Sequence, residues 1–151
     1  MDKALTHLYK GIFISDDFNW HPNFAGITET LIASTYAKQN NVDSVRKYIL
    51  LADKIKRDEL PVPYKARIKS LMALSLAYEG NFEEGKKLLD EAYKVASEGK
   101  DSSEMMYSEF IRGKIFTKAR QYGKAIAAYN HVLDDYSEKD LDPTLRLYFW
   151  I

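Results

Sequence analysis

Few side chains in this sequence could do chemistry, and they are scattered. The histidines are His7, His21 and His131, and none stands in an HExxH pattern that would set two imidazoles on one helix face. Cysteine is absent, which excludes disulfides, thiolate metal sites, iron–sulfur clusters and a cysteine nucleophile. No GxGxxG or GxxxxGK[ST] run provides a phosphate cradle, and no GxSxG provides a nucleophile elbow. Glu83-Glu84, Asp90-Glu91 and Asp134-Asp135 are adjacent carboxylates of the kind that acid–base catalysis needs. Each pair falls on a solvent face or a first helical turn, where solvation and helix-end electrostatics account for it. Lys54, Lys56 and Arg57 form a short basic cluster, and Lys86, Lys87, Lys94 and Lys100 alternate with acids. Both read as solvated helix faces. No enzymatic activity is expected, and no cofactor or metal is implied.

The elements that must position these side chains are helices. The chain has 151 residues, with 22 Lys+Arg against 22 Asp+Glu and so no net charge, which disfavours a nucleic-acid or anionic-membrane partner. Eleven Tyr, seven Phe and two Trp supply bulky core material, which argues against disorder. The longest run without Asp, Glu, Lys or Arg, Phe18 to Thr28, is too short to span a bilayer. Apolar residues recur at three- and four-residue spacing, as in Leu71, Leu74 and Tyr78, or Val45, Ile49 and Ala52. Sustained period-two alternation is absent, so the reading is all-α. Pro22, Pro61, Pro63 and Pro143 mark boundaries. Helices are predicted over 2–14, 26–38, 42–57, 64–79, 82–98, 103–119, 122–137 and from 143 to the end. Asn41, Asn81, Ser102 and Asp142 stand at helix starts, Asn81 with acids just behind it.

A shift of 40 residues superposes the helix pairs. The turns Gln39–Val42, Glu79–Phe82 and Ala119–Tyr122 align without a gap. Before each turn a small residue (Ala33, Ala73, Gly113) sits three before a large one (Tyr36, Leu76, Phe116). After each turn a slim residue (Val45, Gly85, Ala125) is followed by a large one (Ile49, Leu89, Tyr129) and another slim one (Ala52, Ala92, Val132). Small residues let helix backbones approach, and large ones fill the notches.

These residues resemble the tetratricopeptide repeat family, over about 24–137. The best matches are Gly113, Phe116, Tyr122, Ala125 and Tyr129 in the third unit, Gly80, Asn81, Phe82 and Ala92 in the second, and Ala33, Tyr36, Asn40 and Ala52 in the first. The family's first-helix tryptophan position holds Glu29, Lys69 and Glu109, and the period of 40 exceeds the family's usual value of about 34. The resemblance implies an α-solenoid, a right-handed superhelix of antiparallel pairs. Its pieces are a half repeat at 1–20, repeats at 24–59, 64–100 and 103–140, and a truncated half repeat at 141–151. It also implies a concave groove lined by the first helix of each pair. Groove positions fall on Thr30, Ser34, Ala37 and Lys38; on Arg67, Ser70, Leu74, Ala77 and Tyr78; and on Tyr107, Phe110, Lys114, Thr117 and Lys118. Arg67, Lys114 and Lys118 suit carboxylates, and Tyr78, Tyr107 and Phe110 offer amphipathic contact. The Lys/Asn set with which some members clamp a chain-terminal carboxylate is replaced by Thr30 and Ser34.

The expected role is a non-catalytic, cytoplasmic module that binds a protein or peptide with some acidic character. It would be the sensory or scaffold part of a larger signalling or transcription-regulatory protein of bacterial type. Leu145, Leu147, Tyr148, Phe149, Trp150 and Ile151 crowd the last segment with apolar surface, as in a repeat cut from a longer array. Two alternatives stand beside this role: homo-oligomerisation through apolar terminal helices, and service as a helical accessory domain of an enzyme whose catalytic part lies elsewhere.

Overall fold

A computed structural model describes residues 3–17, 22–54 and 60–135. Seven α-helices and no strand occur among them: α1 (Lys3–Asp17), α2 (Pro22–Lys38), α3 (Val42–Asp53), α4 (Val62–Tyr78), α5 (Phe82–Glu98), α6 (Ser102–Lys118) and α7 (Tyr122–Asp135). The all-helical reading holds for these residues. The helix expected from 143, with its apolar run, lies outside them, as do His21, Lys56 and Arg57.

Two prolines sit inside helices where boundaries were expected. Pro22 is the first residue of α2, and Pro63 lies in the first turn of α4, so both helices begin earlier than the periodicity predicts. A first-turn proline loses nothing, because its missing N–H has no partner within the helix. Asn41 caps α3 as expected, its side chain accepting from the Ser44 N–H at 3.2 Å. The cap of α6 is Asp101, one residue before the expected Ser102, and it accepts from the Glu104 N–H at 3.0 Å. Asn81 holds the cap position of α5 without a side-chain capping bond.

One turn design is used four times. Asn40, Gly80, Lys100 and Arg120 take the left-handed conformation, with φ of 57°, 96°, 54° and 58°. Each donates its N–H three residues back, to Ala37, Ala77, Ser97 and Thr117. The next residue in each case donates five residues back, to Tyr36, Leu76, Ala96 and Phe116. This pair of bonds satisfies the last carbonyls of one helix and reverses the chain into the next.

The turns at Asn40, Gly80 and Arg120 fold α2–α3, α4–α5 and α6–α7 into antiparallel pairs. Between pairs, α3 and α2 pack on α4, and α5 and α4 pack on α6. The core follows the small-and-large pattern: Ala33, Val45, Ile49, Ala52, Ala73, Leu89, Ala92 and Ala125 are buried. A Cβ on Gly85 would lie 2.8 Å from the Ala73 carbonyl, so α5 crosses α4 at backbone contact. A Cβ on Gly113 would run into the Tyr129 ring, which fills that notch from α7. At the other end α1 docks through three tyrosines. The Tyr48 hydroxyl donates to Tyr9 at 2.9 Å, and the Tyr9 and Tyr36 hydroxyls share a 2.9 Å bond.

Candidate peptide-binding face

Helix α4 packs against both α2 and α6. Much of the predicted groove is internal. Thr30, Ser34, Ser70 and Ser108 are fully buried. Thr30 and Ser34 return their hydroxyls to carbonyls one turn back, at Gly26 (2.7 Å) and Thr30 (2.9 Å). Ser108 does the same to Glu104 at 2.9 Å and shares a 3.1 Å bond with Ser70 across the α4–α6 contact. Small self-satisfied hydroxyls let three helices pack closely without leaving orphaned polar groups.

Arg67 sits beside this seam. Its Nε donates to Glu104 Oε2 at 2.7 Å and its Nη2 to Glu104 Oε1, a bidentate fork. Its guanidinium lies over the Tyr107 ring, 3.8 Å from the centroid. Burial pushes the Glu104 carboxyl above its ordinary range, against the pull of the Arg67 guanidinium.

These contacts change the expected groove. Arg67, read as a cation for a partner's carboxylate, is 8% exposed and engages Glu104 of this chain. Leu74 and Ala77, 1% and 0% exposed, are core residues. Tyr107 is buried beneath Arg67. Of the remaining predicted residues, Tyr78 and Lys118 meet at the C-terminal ends of α4 and α6, and Lys114 reaches from α6 to the turn after α2. Lys38 is exposed at the end of α2, and Tyr78 is half-buried at the end of α4. Lys118 Nζ stands 4.8 Å from the Tyr78 ring centroid. Lys114 Nζ lies 5.2 Å from the Phe110 centroid and donates to Asn40 Oδ1 at 2.7 Å, tying α6 to the turn after α2. Burial holds the Lys114 ammonium below the ordinary lysine range. Tyr129 extends the aromatic floor, its ring centroid 6.2 Å from that of Phe110.

Chemically this is a pair of ammonium groups above aromatic faces, suited to carboxylates carried on a chain that also has apolar side chains. Sequence reading missed Asn40 as the Lys114 acceptor and Glu104 as the Arg67 acceptor. Nothing local signalled Asn40, which is 74 residues from Lys114, or Glu104. Among the described residues no three His, Asp or Glu side chains cluster as metal ligands, and no helix is long and apolar enough to cross a membrane. Comparison with family models, with curated proteins and with solved structures finds no match to this chain.

Proposed function

We propose that this chain is a non-catalytic protein- or peptide-interaction module, a helix-pair array of tetratricopeptide type serving a larger regulatory or scaffold protein. The observation that carries this reading is the pair of α6 lysines held against aromatic rings, Lys114 over Phe110 and Lys118 over Tyr78 of α4, with Lys114 also reaching Asn40 after α2. Cations at helix C-termini also complement the helix dipoles. That role alone does not need a half-buried lysine held over an aromatic ring. The partner class is a segment with acidic and apolar side chains. Anisotropy with labelled Glu/Leu and Lys/Leu peptides tests it. The acidic peptide should bind more tightly, and Lys114→Ala with Lys118→Ala should weaken it about tenfold, or ~1.4 kcal/mol. Equal binding of both peptides, or no effect of the double substitution, would overturn the reading.

A second reading, self-assembly, is favoured by α7. Tyr122, Ile126 and Leu133 are 60%, 59% and 71% exposed, and their spacing puts them on one stripe. Light scattering over a concentration series decides it. A monomer at every concentration removes this reading, whereas association abolished by Ile126→Lys with Leu133→Lys supports it.

A further inference from the structure

A cleft is lined by residues of α3, α4 and α5. Its volume is about 290 Å³, and its lining includes Leu50, Met72, Leu76, Glu79, Glu84 and Arg46. The same place recurs one repeat later, between α5 and α7 over α6, because the helix pairs are related by 40 residues. At that second position the chain makes contacts of its own. Asp90, the counterpart of Leu50, pairs with Arg112, the counterpart of Met72, at 2.9 Å. Lys124, the counterpart of Glu84, lies over Phe116, the counterpart of Leu76, 5.7 Å from its centroid.

The first cleft therefore has apolar walls where the second has an ion pair, and an acid where the second has a cation. Leu50 is 50% exposed, a large apolar side chain at the mouth. Arg46 is engaged by Glu79 at 2.6 Å, and with Glu84 added the lining keeps a net negative charge. We propose that this cleft is a docking site for a partner segment that inserts a large apolar side chain between Leu50, Met72 and Leu76 and sets a lysine or arginine against Glu84. Such a segment supplies from outside what Lys124 and the Asp90–Arg112 pair supply one repeat later. The site is separate from Lys114 and Lys118, and its ligand has the opposite charge.

The test uses an amphipathic peptide of Leu, Ala and Arg, with Glu in place of Arg as control, titrated into the full chain with methyl-labelled Leu and Met. The Arg peptide should shift the Leu50, Met72, Leu76 and Leu88 methyls, and the Glu peptide should leave them in place. Leu50→Asp with Met72→Arg, which transplants the ion pair of the second position, should weaken the Arg peptide at least about tenfold. Glu84→Lys, a change at an exposed residue that leaves the core untouched, should do the same and keeps the test decisive if the double variant does not fold. Native-like affinity in Glu84→Lys, equal binding of both peptides, or shifts confined to the surroundings of Phe110 and Lys114 would each overturn the proposal.

Discussion

Arg67 and Glu104 show at the scale of single residues how a binding group becomes a structural one. Each is buried, so each charge depends on the other. Removing one partner strands the remaining charge in the core, and Arg67→Met alone should cost about 3–5 kcal/mol. Replacing both with apolar residues (Arg67→Met with Glu104→Leu) should restore or exceed native stability, since desolvation of the pair is then avoided. A double-mutant cycle in urea measures the coupling. The pH dependence follows from the raised Glu104 carboxyl. The fold binds that proton more tightly than the unfolded chain does, so its contribution is present below the ordinary glutamate value and lost as pH rises through the raised one. The stability difference between the native chain and Glu104→Gln should therefore fall over that window. Arg67 was legible as a helix-borne cation but not as an internal one. Its acceptor is 37 residues away on another helix, and no periodicity within either segment reports that the two face each other.

At the scale of elements, the turns explain why the helix pairs were readable. A left-handed residue recurs at Asn40, Gly80 and Arg120, the same register as the aligned turns. Gly80 takes that conformation without strain, whereas Arg120 carries a Cβ penalty of about 1–2 kcal/mol. Arg120→Gly should recover part of it and raise the melting temperature, while Gly80→Ala should lower it. The notch between α6 and α7 has the opposite sensitivity. Gly113→Ala drives a methyl into the Tyr129 ring and should cost about 1–3 kcal/mol by overpacking. Adding Tyr129→Leu should return part of that loss, which denaturation of the single and double variants would show. Helix starts were less legible than turns. Pro22 and Pro63 look like breakers in a sequence, yet a helix accepts proline in its first turn, so position within the helix decides what the residue does.

Among the described residues the buried core runs continuously from α2 to α6. The central helix α4 contacts α2, α3, α5 and α6, whereas α7 packs chiefly on α6 and α1 chiefly on α2. The slim-and-large alternation made these pairings legible because it records which backbones touch. It says little about which side chains of α2, α4 and α6 reach solvent, since that depends on how tightly these helices close on one another. If the helix pairs stack as repeat units do, each pair depends on its neighbours and damage spreads by contact. Amide exchange should therefore be slowest in α4 and α5 and faster in α1 and α7. Leu71→Ala, at a fully buried site in α4, should cost about 2–5 kcal/mol and speed exchange from α2 through α6. Val132→Ala, in α7 at the edge of the described core, should cost less and speed exchange mainly in α6 and α7. Mass spectrometry resolved by peptide separates these outcomes. If both substitutions accelerated all seven helices equally, the chain would be one cooperative core, and the pair-by-pair account of its stability would be wrong.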